Sequence, residues 1–189
     1  GNEAFAGTSK ELLADWRGGQ NGYRHGPCGH YHVEICPSKP GGLDLILRQR
    51  EQVFDLFSDV KITDVQIFPY DQGGCTCADC APWGVNGLFK ILPRFSELAR
   101  RKFPGCTVNF ATWRFDVFGD LGEWDGLFRR GEELRKYADE LTIERTDKIA
   151  NGTPGGLPAA SMAEISMGGM LPWGGYGAIA MPARFERLF

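Results

Sequence analysis

The chain has 189 residues, of which 42% are hydrophobic and 24% charged, and this length and composition predict a single globular domain over 1–189. The formal net charge of −3 offers no basic excess for binding nucleic acid or an anionic membrane, and no apolar run reaches the ~18 residues of a membrane span. Glycine occurs 26 times and gathers in a few stretches, which indicates shaped loops on a rigid scaffold.

Strand-like and helix-like segments alternate along the chain. Runs of β-branched and aromatic residues predict five strands, at 30–36, 64–70, 107–113, 141–145 and 162–167. Apolar residues at helical spacing predict helices over 43–57 and 88–103, and a weaker helix between the third and fourth strands. Because strands that alternate with helices pair in parallel, we expect one parallel sheet with its strands in sequence order.

Parallel βα repeats close in two ways, as a doubly wound open sheet or as a (β/α)8 barrel. The long loops rich in glycine, aromatic and polar residues all follow predicted strands, whereas the connections from helix to strand are short. This asymmetry favours a barrel, because barrel sites form at the carboxyl ends of the strands. We therefore predict an α/β fold, a partial or complete TIM-type barrel. Five strands indicate a segment of a longer barrel protein or a further short strand near the start.

Three cysteines lie within six residues in the loop after the second predicted strand. Cys75, Cys77 and Cys80 are close enough in sequence to meet one tetrahedral ion, and Cys36 ends the preceding strand on the same side of the sheet. These four are the expected metal ligands, with structural zinc as the expected cofactor. Three other residues are candidates for the fourth position: His25, Cys28 and His30. A disulfide and free thiols stay open as alternatives, because the spacing is not the paired C-x2-C of zinc ribbons.

Two carboxylates are placed where barrel enzymes carry catalytic groups. Asp71 directly follows the second predicted strand, ahead of Gly73 and Gly74. Glu164 lies within an otherwise apolar predicted strand, where burial would raise its pKa and suit it to proton transfer or nucleophilic attack. The alternatives are an ordinary turn aspartate and a glutamate at a solvated strand end.

Aromatic side chains collect at strand ends and in the loops that follow, beside glycines. Flat aromatic faces next to scattered polar groups are suited to sugar rings, whose C–H faces are apolar. The residues expected to bind such a substrate are His25, Tyr70, Trp83, Trp113, Trp173 and Tyr176. The alternative is that two or three of the rings fill space in the loops.

Two motifs carry a resemblance to a known family. The segment 69–84 reads P-Y-D-Q-G-G-C-x-C-x-x-C-x-P-W-G, and the segment 164–177 contains E-I-S-M followed by P-W-G-G-Y-G. Together they resemble uncharacterised barrel proteins associated with bacterial carbohydrate use. Over residues 20–178 the chain is also similar to the middle of a glycoside hydrolase barrel.

The large clan of retaining barrel glycosidases has its acid/base after strand four and its nucleophile after strand seven. Asp71 and Glu164 lie three predicted strands apart, which matches the separation that this resemblance implies. The chain departs from the clan in having Tyr70-Asp71 where the clan has Asn-Glu.

These features predict a carbohydrate-active enzyme, a glycoside hydrolase in which Asp71 is the general acid/base and Glu164 the nucleophile or second carboxylate. A non-catalytic sugar-binding barrel and a zinc-dependent hydrolase built on the cysteine and histidine cluster are the alternatives. A carbohydrate is the expected partner. The sequence shows no secretory leader, and a periplasmic or secreted location is expected from the substrate class alone.

Overall fold

The structure is a computed structural model that describes residues 9–15, 35–69, 74–116 and 121–161. Within these ranges, four parallel strands form one sheet: β1 (Asp64–Ile67), β2 (Thr107–Ala111), β3 (Glu140–Ile143) and β4 (Ala159–Ser161). The α-helices are α1 (Gly42–Asp55), α2 (Leu88–Lys102), α3 (Glu123–Arg129) and α4 (Gly131–Leu134). Shorter helical turns lie at Lys10–Leu12, Trp83–Gly87, Thr146–Ile149 and Pro154–Gly156.

The strands pair in the order β1-β2-β3-β4, which is also their order in the chain. In the register Val65 lies opposite Val108, and Phe110 lies opposite Leu141. Two neighbouring parallel strands are joined by a crossover connection. When all crossovers are right-handed and proceed in the same direction across the sheet, their helices lie on the same face of the sheet. The prediction of a parallel sheet in sequence order is thus confirmed for the three predicted strands that match β1, β2 and β3. The order of the four described strands does not reverse as it does in a doubly wound sheet.

One face of the sheet is apolar and packs against the helices. Alternate residues of three strands point to this face and are buried: Val65, Ile67, Val108, Phe110, Leu141 and Ile143. Helix α2 supplies the facing surface through the apolar stripe that its sequence predicts, including Leu92 and Phe95. The ring of Phe89 contacts that of Phe110, with a centroid separation of 5.7 Å. The core therefore lies between α2 and the centre of the sheet.

The opposite face carries a row of hydrogen-bonded polar side chains. Asn109, in the middle of the row, donates from Nδ2 to Glu140 Oε1 at 2.6 Å. Its Oδ1 accepts from Thr142 Oγ1 at 2.7 Å and from Gln66 Nε2 at 3.4 Å. Because successive residues of a strand point to opposite faces, the same three strands make one dry face and one polar face.

Two predicted strands fall wholly or partly outside the described residues. Of the segment 30–36, the structure describes Ile35 and Cys36, and both lie outside the four-stranded sheet. Ile35 forms an isolated antiparallel bridge with Leu13. The predicted strand 162–167 lies outside the described residues. The strand that the structure does show there, β4, comes just before it, in a segment for which the sequence predicted no strand.

None of the helices in the described part of the chain is long and apolar enough to cross a membrane.

Replacing Phe110 by alanine should lower the free energy of unfolding by about 3–5 kcal/mol, because a fully buried ring at the centre of the core would leave a cavity. Urea unfolding followed by tryptophan fluorescence measures the change. Phe57→Ala is the matched control, since Phe57 is exposed and should cost about 1 kcal/mol or less. Equal losses in both variants would contradict this position of the core.

Candidate functional site

Four cysteine side chains converge on one point beside the sheet. Cys36, Cys75, Cys77 and Cys80 place their Sγ atoms within 4.8 Å of one another. The Sγ atom of Cys36 lies 3.8 Å from that of Cys77 and 3.8 Å from that of Cys80. These distances are far above the ~2.05 Å of a disulfide bond, and all four thiols are free. The structure thus brings together the four residues that the sequence analysis grouped as metal ligands.

Local backbone turns aim these sulfurs at each other. The amides of Cys80 and Ala81 both donate to the carbonyl oxygen of Cys77 at 3.0 Å, which folds the second cysteine loop, residues 74–87, back on itself. In the first cysteine loop, residues 36–42, the amide of Gly42 donates to the carbonyl oxygen of Lys39 at 2.8 Å. A side chain at Gly42 would collide with the carbonyl oxygen of Cys36, so glycine is required there for the loop to close.

The segment 9–15 joins the two cysteine loops. On one side, the amide of Cys36 donates to the carbonyl oxygen of Leu12 at 2.9 Å. On the other side, the amide of Thr76 donates to the carbonyl oxygen of Asp15 at 2.8 Å, and the amide of Asp15 donates to Cys75 Sγ at 3.3 Å. Three stretches that are distant in sequence therefore meet at the cluster.

The surroundings of the sulfurs combine burial with nearby donors. Burial raises the pKa of Cys36 to about 11, and the pKa of Cys75 is also raised, first by its hydrogen bond with Cys80 and then by burial. Ser38 Oγ lies 3.0 Å from Cys80 Sγ, and Lys39 Nζ pairs with Asp15 Oδ1 at 2.9 Å. The raised pKa values of Cys36 and Cys75 favour their protonated thiols, and a cation among the sulfurs would stabilise the thiolates.

Trp83 holds the two ends of the second cysteine loop together. Its side chain is 7% exposed, and a side chain added at Gly74 or at Gly87 would collide with the indole ring. The ring therefore packs against both ends of the 74–87 loop, and the amide of Gly87 donates to the carbonyl oxygen of Cys80 at 3.1 Å. The role of Trp83 in substrate binding stays a prediction.

A buried carboxylate that the sequence analysis overlooked connects this loop to the next one. Glu123 Oε1 accepts from the amide of Gly84 at 2.7 Å, and Oε2 accepts from the amide of Asp116 at 2.9 Å. Asp116 Oδ1 in turn accepts from the amides of Gly122 and Glu123, at 2.8 Å each. A glutamate in the first turn of a helix is usual on a protein surface, so the sequence gives no signal for this buried role.

The carboxyl ends of β1, β2 and β3 carry a second group of contacting side chains. The rings of Phe68 and Trp113 lie 5.9 Å apart, and the Arg114 guanidinium lies 4.9 Å from the centre of the Trp113 ring. Glu144, the residue after β3, accepts from the Arg114 amide at 2.9 Å, and its Oε1 lies 3.5 Å from Arg114 Nη1. Of these four residues, the sequence analysis named Trp113 as a ligand contact.

The remaining predicted site residues lie outside the described residues: His25, Tyr70, Asp71, Glu164, Trp173 and Tyr176. The alternative metal ligands Cys28 and His30 lie outside them as well. Asp71 follows the end of β1 by four residues, and Glu164 follows the end of β4 by three.

Comparison of the chain with models of protein families, with curated proteins and with solved structures gave no match.

Replacing Glu123 by alanine should destabilise the protein by about 2–4 kcal/mol, because two backbone N–H groups would lose their buried acceptor. Thermal or urea unfolding measures the loss. Glu132→Ala, on the exposed side of α4, is the control and should change stability by no more than about 0.5 kcal/mol. A Glu123 variant as stable as the control would show that the carboxylate does not brace the two loops.

Proposed function

We propose that Cys36, Cys75, Cys77 and Cys80 bind one Zn²⁺ ion in a structural four-sulfur site. The observation that carries this proposal is the spacing of the sulfurs. With a Zn–S distance of about 2.3 Å, the edge of a tetrahedron of sulfurs is about 3.8 Å. Cys36 Sγ lies 3.8 Å from two of the other sulfurs, and all four fit within 4.8 Å.

The ligand set supports a structural role over a catalytic one. Four protein sulfurs fill the four positions of a tetrahedral ion, whereas a catalytic zinc keeps one position for water or substrate. Three of the four cysteines are buried, and Cys77 is half-buried. The Asp15 amide and the Ser38 hydroxyl are placed to donate to thiolate sulfur, as outer groups do around metal ligands.

Protein purified without chelator should contain one zinc ion per chain, and Cys80→Ser should lower that content to well below half. Elemental analysis by mass spectrometry measures the stoichiometry and would also identify iron, which four thiolates can hold as well. Cys106→Ala is the matched control, because Cys106 is buried but is not one of the four converging cysteines, so this variant should keep full occupancy.

The contrary result is a protein that takes up no metal after reduction and zinc addition, with all four thiols titrating as if zinc were absent. A Cys106 variant that loses zinc as fully as the Cys80 variant would also count against the assignment.

We further propose that the chain belongs to a TIM-type barrel that acts on carbohydrate, as a glycoside hydrolase. The support for this proposal is the order of the strands together with the side chains at the carboxyl ends of the strands, which form the carboxyl edge of the sheet. Four parallel strands follow one another in sequence order, and the loops after β1 and β2 are braced by Glu123. Phe68 and Trp113 add an aromatic pair at the same edge, where barrel sites form.

In this proposal Asp71 is the general acid/base and Glu164 the nucleophile or second carboxylate. They follow the two outer strands of the described sheet, β1 and β4. Three strand spacings of about 4.8 Å separate such strands by roughly 14 Å in a flat sheet. The curvature of a closed barrel and the reach of the side chains would bring the carboxyl groups towards the ~5–9.5 Å that glycoside hydrolysis uses.

Asp71→Asn and Glu164→Gln should each lower turnover of an activated glycoside by ~10²-fold or more, because each removes proton transfer or nucleophilic attack and keeps the side-chain shape. Sugar affinity should largely survive. Turnover is measured beside affinity for both variants, with Asp147→Asn as an exposed carboxylate control. Full activity in either variant would remove that residue from the mechanism.

A further inference from the structure

The carboxyl edge of β1 to β3 holds a small surface that the zinc site and the paired carboxylates do not use. Trp113, the residue that contacts the others, is 8% exposed. Two neighbours contact its ring, Phe68 at 5.9 Å between centroids and the Arg114 guanidinium at 4.9 Å. Phe68 is 43% exposed, so an aromatic ring faces solvent at the edge of the sheet.

The backbone at this place adopts a conformation that side chains rarely take. Arg114 has a φ of 59°, in the left-handed region, and Asp116 has the same value. Residues other than glycine persist in this region where the surroundings impose it, and such residues gather at ligand sites. Here Glu144 holds Arg114 by accepting from its amide at 2.9 Å. The same carboxylate reaches the Arg114 side chain at 3.5 Å, so the pair is fixed through both backbone and side chain.

We propose that Phe68, Arg114 and Glu144 form a subsite for a neutral sugar ring, an inference that rests on the proposed action on carbohydrate. The guanidinium can only donate hydrogen bonds and the ionised carboxylate can only accept them, whereas a sugar hydroxyl does both. Adjacent hydroxyls therefore match an arginine beside a glutamate. The exposed face of Phe68 offers the apolar surface on which the C–H face of the ring packs.

The charge of the pair selects among sugars. Arg114 and Glu144 together carry no net charge, and both side chains are partly accessible. A uronic acid would bring its carboxylate next to that of Glu144, and this repulsion offsets the attraction to the guanidinium. The subsite should therefore prefer neutral hexoses and pentoses to acidic sugars.

The full chain, loaded with zinc, is applied to an array of neutral and uronic-acid oligosaccharides, and the best neutral ligand is titrated by calorimetry. Phe68→Ala should weaken binding about tenfold or more through loss of the ring face, and Arg114→Asn should do the same through loss of the guanidinium. Asparagine tolerates the left-handed backbone that Arg114 adopts, so this variant should keep the fold.

Two matched controls separate the subsite from general effects. Phe128→Ala removes a ring on α3 that is 42% exposed, and Arg145→Asn removes an exposed arginine that pairs with Asp147. Both should bind within twofold of the parent chain, and all variants should keep their zinc content.

Binding of a neutral sugar that neither Phe68→Ala nor Arg114→Asn weakens would overturn the subsite and leave the action on carbohydrate standing. Preferential binding of uronic-acid glycans would overturn the assigned sugar class. Failure to bind any glycan of the array would overturn both the subsite and the carbohydrate function.

Discussion

Four sulfur atoms lie within 4.8 Å of one another at the point where two irregular loops and the segment 9–15 meet. Irregular chain of this kind has few backbone ladders to hold it, and thiols are weak hydrogen-bond partners. A bound ion would supply the missing free energy, since structural zinc contributes on the order of 10–16 kcal/mol in small zinc domains. The loop after β1 depends most directly on this cluster, because Cys75, Cys77 and Cys80 all belong to it.

From that loop the contacts continue across the carboxyl edge of the sheet. Glu123 joins Gly84, in the 74–87 loop, to Asp116, in the loop after β2. Glu144, which follows β3, accepts from the amide of Arg114, and Arg114 lies in the same loop after β2 as Asp116. Three loops after three neighbouring strands are thus tied by two carboxylates that accept backbone N–H groups. The cysteine cluster at one side of the edge is in this way connected to Arg114 and Glu144 at the other.

The parts of the structure that repeat with a fixed period could be predicted from the sequence. The stripe of α2 and the alternation in β1 and β3 follow from burial on one face. The close spacing of Cys75, Cys77 and Cys80 predicted their clustering, but Cys36 joins them from a segment outside the sheet rather than from the end of a sheet strand. Strand β4, with the sequence Ala-Ala-Ser, is too short and too small in its side chains to carry a pattern. Glu123 owes its role to partners that come from other loops, and no local signal marks such contacts.

A glycine close to an aromatic residue can leave the ring open to a ligand or can make room for a buried ring, and Trp83 is an example of the second case. An open ring next to glycine can serve as a platform for a ligand, but glycine also leaves the space that a buried ring needs. Gly74 and Gly87 do the second for Trp83, because a side chain at either position would occupy the volume of the indole. Phe68 is 43% exposed, and the Trp113 ring that it contacts also lies against the guanidinium of Arg114. Exposure together with hydrogen-bonding neighbours, rather than nearness to glycine, is therefore the better sign that an aromatic ring is available to a ligand.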